Sequence, residues 1–509
     1  MSANLICILA AIVAYLAVVL AVGVFCARKN DSSDDFYLGG RKLGPLVTAM
    51  SAEASDMSSW LLMGLPGVAY LSGVCDAFWT AVGLAVGTWL NWLLVARRLR
   101  RYSNNIGAVT VPDFFSLRWH DDKKLLNAIA ALVIIVFFVP YTASGFAACG
   151  KMFNSLFGVD YMTAVVLSAL VIVLYTTLGG FLAVSTTDLI QSIVMTAALV
   201  VVLGFGVYTA GGAGAVLDNA RSLAGYLSLT ATHDAAAGTA VPYGPLTIIS
   251  TLAWGLGYFG MPHILLRFMA IRDEKELVLS RRIASVWVVI SMGLAILIGV
   301  VGLAMTKAGA IAALSGSASE NIIVRIAALI SEHGTLAAIV AGVILAGILA
   351  ATMSTADSQL LAAASGVSEN IVRSFFGVKL TDKQGLLVAR ATVLAISALA
   401  VFLARDPNSS VFGIVSFAWA GFGGAFGAVM LCALFWKRSN KNGALAGMVA
   451  GGVMVFVWKY LVRPMGGAWN IYELLPAFLV SLLACVVVSL ATAAPDAAIE
   501  AEFEQSRSC

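Results

Sequence analysis

Residues 50–67 read MSAEASDMSSWLLMGLPG, a polar stretch inside a long apolar segment. It carries two carboxylates, Glu53 and Asp56, together with four serines. A carboxylate at bilayer depth costs about 2.5 kcal/mol or more and marks a candidate functional site. Small polar side chains also compete for backbone hydrogen bonds and weaken a helix. The stretch therefore predicts a membrane helix broken near residues 54–58; the alternative is a polar kink that only packs against its neighbours.

A second interruption occurs at residues 254–263, which read WGLGYFGMPH and contain three glycines and one proline. Glycine weakens a helix by its entropy, and proline removes a backbone donor. At a broken helix, the free carbonyl end suits a cation and the free N–H end suits a carboxylate. Two broken spans at matching positions in successive halves indicate a transporter of inverted repeats with a site near the bilayer midplane.

The composition restricts the class of protein. Of 509 residues, 60% are hydrophobic and 11% are charged, whereas soluble domains carry about 25% charged residues. Many apolar runs are long enough to cross a bilayer, so we expect an all-α polytopic membrane protein. The net charge of +4 is small and no basic block has interleaved aromatics, which excludes a nucleic-acid partner. The seven cysteines form no CxxC motif, so neither a disulfide framework nor a zinc site is indicated.

Hydropathy predicts thirteen spans, at roughly 4–26, 45–72, 75–97, 123–153, 160–178, 183–209, 245–271, 282–306, 335–362, 386–404, 410–436, 443–463 and 472–494. Most of the 31 Lys and Arg residues, Arg267 included, then fall on one side. The exceptions are Lys151, Arg221, Lys307, Arg325, Arg405, Lys459 and Arg463. This bias predicts an N-terminus outside and a C-terminus in the cytoplasm.

The predicted organisation has six parts. They are 1–44, a first helix with a cytoplasmic linker; 45–209, a first repeat of five spans; 210–244, an extracellular loop; 245–436, a second repeat of five spans; 437–494, two further spans; and 495–509, a cytoplasmic tail. A short helix is expected near 321–331, within the outer loop after the eighth span.

The ninth span carries a polar face. Ala351, Ser354, Thr355 and Ser358 are spaced so that they share one side of a helix. Hydroxyl and carbonyl oxygens suit a hard cation, and sodium fits a site with little fixed charge. The alternative is that these hydroxyls only join helices together. Asp188 in the sixth span is either an ion ligand or a side chain that reaches the membrane surface.

These motifs together resemble the sodium/solute symporter family, and within it the branch that transports proline. The resemblance lies in ASDMS at 54–58, residues 60–67, VPY at 139–141, GGFLAV at 179–184, residues 254–268, MST at 353–355 and residues 418–447. It implies a LeuT-like 5+5 inverted-repeat core of ten helices, with one extra helix before it and two after it.

The same resemblance implies site residues. One sodium would be held by the carbonyls of Ala54, Met57 and Ala351 and the hydroxyls of Ser354 and Thr355. Substrate-binding residues would be Asp56, Ser58, Ser59, Trp60, Tyr141, Trp254, Gly255, Tyr258 and Pro262. Aromatic walls fit a pyrrolidine ring, and the helix N-terminus after Ser58 would receive the carboxylate.

Four positions depart from the family pattern. Ser59 stands where proline transporters have glycine, Met261 replaces a glutamine, and Glu53 replaces a small residue. Relatives with a second sodium site use hydroxyls at positions 357 and 358 and an aspartate matching Asp188. Here Asp188, Asp357 and Ser358 form the candidate second ion site, and its two carboxylates would repel without a cation or proton between them.

The expected function is sodium-coupled uptake of L-proline across the plasma (inner) membrane by alternating access. Alternatives are symport of another small amino acid or organic carboxylate, and a solute sensor that transports nothing. We expect no enzymatic activity, because no nucleophile–base pair, metal-ligand cluster or phosphate loop is found. Sodium, L-proline and the lipid bilayer are the expected partners, with no organic cofactor. The residues do not indicate an oligomeric state.

Overall fold

The computed structural model describes residues 3–27 and 37–507. In these ranges ten helices are long and apolar enough to cross a membrane, and one bent helix pair adds an eleventh. Two further predicted spans do not meet these criteria of length and apolar character. They are the interrupted segment 45–72 and the shorter apolar helix Tyr161–Leu174. The chain is therefore a multi-pass membrane protein, whereas the count of thirteen spans and the orientation of the termini stay predictions.

The first half of the chain is helical up to an outer loop. Its helices are α1 (Ala3–Ala27), α2 (Pro45–Ser59), α3 (Leu65–Ser72), α4 (Val74–Leu90), α5 (Ala96–Asn105), α6 (Val111–Arg118), α7 (Leu125–Phe157), α8 (Tyr161–Thr209) and α9 (Ala213–Arg221). Wide π-helical turns join α2 to α3 over Trp60–Gly64 and α4 to α5 over Asn91–Val95.

The second half begins after a two-stranded hairpin. Its helices are α10 (Pro245–Leu252), α11 (Pro262–Ala270), α12 (Leu277–Lys307), α13 (Ile322–Ser331), α14 (Thr335–Ser365), α15 (Asp382–Leu403), α16 (Val411–Phe422), α17 (Ala428–Phe435), α18 (Lys441–Val457), α19 (Leu474–Ala491) and α20 (Ala497–Arg507). Helix α13 confirms the short helix expected near 321–331.

The expectation of an all-α chain is wrong in one place. Within 210–244, strand β1 (Ala231–Asp234) pairs antiparallel with β2 (Thr239–Pro242). A tight turn around Gly238, whose φ is 66°, joins the strands. Composition alone marked this segment as a loop because short strands of small residues carry little hydrophobic alternation.

The break in the second predicted span is real and lies at Ser58. Helix α2 begins with Pro45 at its first position and ends where Ser58 takes φ 50° and ψ −170°. This conformation cannot continue a helix, and non-glycine residues rarely adopt it. The prediction of a break near 54–58 is confirmed at the C-terminal end of that range.

The second break is also confirmed, at 253–261. Helix α10 passes into a 3₁₀ segment, Ala253–Gly260, then Met261 is extended and α11 begins at Pro262. The two helices are bent by 47°. Gly257 packs so tightly that an added Cβ would lie 1.9 Å from Nε1 of Trp419. The glycines therefore let the broken segment press against α16.

Helix α8 holds two predicted spans in one run of 49 residues. A straight helix of that length would be about 74 Å long, more than twice the hydrocarbon thickness of about 30 Å. Gly180 interrupts it with φ 63° and ψ −178°, nearly the conformation of Ser58. The chain therefore turns between residues 178 and 183, as the sequence predicted.

Helix α14 is the centre of the bundle. Every residue from Ile344 to Ser365 is buried, so this part of the helix contacts protein on all sides. It packs against α1, α2, α7 and α8. Polar side chains on α14 therefore face other helices rather than lipid.

Candidate functional site

The predicted sodium ligands come together where α2 ends beside α14. The Ser354 hydroxyl donates to the Ala54 carbonyl at 2.8 Å and lies 3.1 Å from the Ala351 carbonyl. Met57 is buried, and its carbonyl accepts the Trp60 backbone N–H across the break. The Ser354 hydroxyl thus lies within hydrogen-bond distance of two carbonyls that were also predicted as ligands.

Thr355, the next residue of α14, is the remaining predicted sodium ligand. Its side chain is 3% exposed, and its hydroxyl has no hydrogen-bond partner within the described ranges. A buried hydroxyl without a partner costs about 1–3 kcal/mol. A cation at this place would supply the missing partner, so the donor set fits a hard ion such as sodium.

Asp56 and Tyr258 connect the two broken helices. The Tyr258 hydroxyl donates to Oδ2 of Asp56, while the Tyr141 hydroxyl donates to the Asp56 carbonyl at 3.0 Å. Asp56 is 5% exposed. Its carboxylate therefore lies between the loose ends of both interrupted helices, as the inverted-repeat interpretation requires.

The two predicted tryptophans contact each other with their rings tilted by 38°. The ring centroids of Trp60 and Trp254 are 5.6 Å apart, and Phe412 lies within 5.7 Å of both. Tyr472 stacks on Trp254 at 5.1 Å, and the Trp419 indole donates to the Trp254 carbonyl at 2.7 Å. Residues of α16 and of the segment before α19 thus cover the two tryptophans. The sequence did not predict the contribution of Phe412, Trp419 or Tyr472.

Gly255 and Pro262 have structural reasons for their identity. An added Cβ at Gly255 would lie 2.3 Å from the Gly83 carbonyl oxygen, so glycine permits close contact with α4. Pro262 occupies the first turn of α11, where its missing N–H costs nothing. Substrate contacts by either residue stay predictions.

A narrow cleft, too tight to admit a water molecule, lies between the substrate and ion residues. It is lined by Ser58, Ser59, Tyr141, Thr142, Ser144, Gly145, Thr352, Thr355, Ala356 and Gln359. The first break and the ion-site threonine therefore border one space. Sequence reasoning missed Thr142 and Gln359, whose side chains bond to each other at 2.9 Å.

The candidate second ion site contains a residue that sequence reasoning misplaced. Arg267 was counted among the cytoplasmic basic residues, yet its side chain is 1% exposed. Its guanidinium contacts Asp188 at 3.2 Å and the Ser358 hydroxyl at 2.7 Å. Asp357 is buried nearby on α14, and neither carboxylate oxygen has a hydrogen-bond partner among the described residues.

The backbone at Ser58 allows a direct test of the break. We expect Ser58→Val to lower the free energy of unfolding by about 1–3 kcal/mol, because a β-branched residue is strained at positive φ. Ser58→Gly should retain the conformation and lose only the bond in which the Ser58 hydroxyl accepts the Trp60 N–H at 3.1 Å. Thermal unfolding of the purified variants measures the difference. Ser285→Val, in the regular helix α12, is the control; equal losses for both Ser58 variants would contradict a strained break.

Comparison with known proteins agrees with this geometry. The model of the sodium:solute symporter family matches residues 36–451. The osmoregulated proline transporter OpuE of Bacillus subtilis is 41% identical over 482 residues, covering 94% of each chain. The sodium/proline symporter of Escherichia coli K12 is 40% identical over 498 residues, covering 97% of this chain and 94% of that protein.

A solved structure shows the same fold. A Na⁺-coupled sialic acid symporter, in a substrate-bound outward-open state, superposes with a TM-score of 0.78 at 18% identity, covering 97% of this chain and 99% of that one. The family match, the two proline-transporting relatives and this shared fold lead to one conclusion. The chain belongs to the sodium:solute symporter family.

Proposed function

We propose that the protein couples the inward movement of sodium to the uptake of L-proline across the inner membrane. The observation that carries the proposal is the meeting of Ala54, Ser354 and the unpartnered Thr355 hydroxyl beside the break at Ser58. The relatives named as proline transporters, at about 40% identity over nearly the whole chain, support proline as the substrate.

Coupling follows from where the ligands lie. Sodium bound by Ala54, Met57, Ala351, Ser354 and Thr355 would hold α2 against α14. This contact would also fix the turn at Ser58 and Ser59, which borders the same cleft as Thr355. The positive end of the helix that starts at that turn would bind the substrate carboxylate. Substrate affinity therefore rises when sodium is bound, and linkage requires the reverse as well.

The energy available is sufficient for uptake. One sodium moving through about 100 mV yields about 2.3 kcal/mol, and a tenfold sodium gradient adds about 1.4 kcal/mol. Since each 1.4 kcal/mol is tenfold, one sodium per substrate could sustain accumulation of a few hundredfold.

The proposal includes the predicted architecture. Residues 45–209 and 245–436 would be two inverted repeats of five spans, with one span before and two after, thirteen in all. The N-terminus would be outside and the C-terminus cytoplasmic. The equivalent positions of the two breaks, at Ser58 and at 253–261, support this division. The protein would work as a transporter and not as an enzyme.

The test is uptake by the purified protein in proteoliposomes. We expect labelled L-proline to accumulate only with an inward sodium gradient, and a negative internal potential to increase it. Potassium in place of sodium, and liposomes without protein, are the controls. A failure of sodium to drive uptake, with L-proline still bound, would favour a solute sensor instead.

Another small carboxylate is the second candidate, because the Ser59 hydroxyl is buried without a partner in the described part of the chain. That hydroxyl could bond to a polar group that proline lacks. Competition of labelled L-proline uptake by other amino acids and short organic acids decides between them. A competitor that is taken up more efficiently than L-proline would establish the second candidate.

A further inference from the structure

Arg267 is a buried charge among the helices of the described bundle. It lies on α11, past the second break, with its side chain 1% exposed. Its Nη2 contacts Oδ2 of Asp188 at 3.2 Å and donates to the hydroxyls of Ser358 at 2.7 Å and Ser55 at 2.9 Å. A single nitrogen thus holds one carboxylate oxygen and two hydroxyls from three other helices.

The rest of the guanidinium is held equally firmly. Its Nε donates to the Ser51 hydroxyl at 3.0 Å, and Nη1 donates to the His263 carbonyl at 2.9 Å. The Phe181 ring lies 5.1 Å from the guanidinium carbon, over which a cation is attracted to the ring face. The side chain therefore has a fixed position and joins α2, α8, α11 and α14.

These partners are the oxygens that a sodium ion would use. Oxygen ligands of carboxylate and hydroxyl type suit a hard cation, and Asp188 and Ser358 were predicted as ligands of a second ion. The Ser51 and Ser55 hydroxyls also donate to Oδ2 of Asp188, at 2.6 and 3.1 Å. The place of a cation beside Oδ2 of Asp188 is thus filled by Nη2 of Arg267, whereas Oδ1 of Asp188 has no hydrogen-bond partner among the described residues.

A second sodium cannot share this place with the guanidinium. Arginine stays protonated in proteins, so its charge is permanent. A metal ion bound to Oδ2 of Asp188 and to the Ser358 hydroxyl would overlap the nitrogen that already contacts both. An ion on the other side of the Asp188 carboxylate would be repelled by the guanidinium charge at low dielectric.

We propose that Arg267 is the resident cation of the second ion site, so that the protein couples one sodium, and not two, to each substrate molecule. This inference rests on the proposed sodium-coupled uptake and determines its stoichiometry. Arg267 acts as a positioning residue: it holds the oxygen cluster of α2, α8 and α14 as an ion would, but it does not leave with the substrate.

The first test uses the unaltered protein. Proteoliposomes are loaded with labelled L-proline, and the membrane potential is set with potassium and valinomycin. We expect net flux to vanish at the potential that balances one sodium per substrate, and initial uptake to depend on sodium with a Hill slope of about one. The proposal would be overturned if net flux vanished at the potential that balances two sodium ions per substrate molecule. Uptake that needs no sodium would instead refute the proposed function.

The second test reopens the site by removing the guanidinium. The double variant Arg267→Gln with Asp357→Ser removes that cation and supplies a hydroxyl beside Ser358. We expect the Hill slope to rise towards two and the balance potential to shift to two sodium ions. Arg267→Lys should stay at one, because it retains a cation. Arg272→Gln, at an arginine that is 58% exposed, controls for loss of a positive charge. An actively transporting double variant that still couples one sodium would overturn the proposal.

Discussion

Replacing Asp56 with asparagine is expected to nearly abolish sodium-driven uptake while the protein still folds. Asparagine has almost the same shape and can still accept the hydrogen bond that Tyr258 donates to Asp56. It removes the ionisable carboxyl group of the residue next to Met57, whose carbonyl is proposed to bind the cation. Loss of one interaction with a charged group costs about 1.5–3 kcal/mol, which corresponds to a fall of about 10–150-fold in apparent sodium affinity.

The measurement is the sodium dependence of initial L-proline uptake in proteoliposomes. Asp160→Asn is the matched control, because Asp160 is an N-cap of α8 that accepts the Thr163 N–H at 3.0 Å and lies far from the breaks. Asparagine caps a helix as well as aspartate does, so this variant should transport normally. An Asp56→Asn protein with unchanged sodium dependence would rule out a charge role for Asp56.

Thr355→Val should separate stability from ion binding. Valine replaces the buried hydroxyl that lacks a partner among the described residues, so the sodium-free protein should become more stable by about 1 kcal/mol. The same change removes one proposed sodium ligand. Apparent sodium affinity should therefore fall about tenfold or more, even though the protein without sodium unfolds at a higher temperature.

Thermal unfolding with and without sodium measures both effects. A bound ligand stabilises the folded state in proportion to the logarithm of its concentration over its dissociation constant, so the variant should show a smaller sodium-induced rise. Thr392→Val on α15, where the hydroxyl donates to the Val388 carbonyl at 2.8 Å, is the control. An unchanged sodium-induced rise in the Thr355 variant would exclude that hydroxyl from the site.

Local composition was sufficient to locate the breaks in the helices. Serines and two carboxylates in an apolar run weaken a helix wherever the chain folds, and three glycines before Pro262 do the same. The polar face of α14 was also readable, because helical spacing places Ala351, Ser354 and Thr355 on one side. These features depend on neighbours along the chain, and the structure confirms their positions.

The pairing of buried charges that lie far apart in the sequence could not be predicted in this way. Lys151 was counted with the outer loops, and only the structure shows that its ammonium is buried against Glu320 at 2.8 Å, 169 residues away. The side chain of Arg267 likewise ends between helices and not in the cytoplasm. The sequence shows which residues carry charge. It does not show which partner offsets the desolvation cost of burying that charge.

The sequence by itself determined that this is a multi-pass helical membrane protein of the symporter family, with two interrupted helices and a hydroxyl-bearing helix between them. Only the tertiary structure decided which oxygens meet at each candidate ion site, that the Trp60 and Trp254 rings contact each other, and that a guanidinium lies between Asp188 and Ser358. The physical reason is that helix breaks arise from local backbone preferences, whereas a binding site requires atoms from distant helices to reach one point. That arrangement depends on packing, which no single stretch of sequence contains.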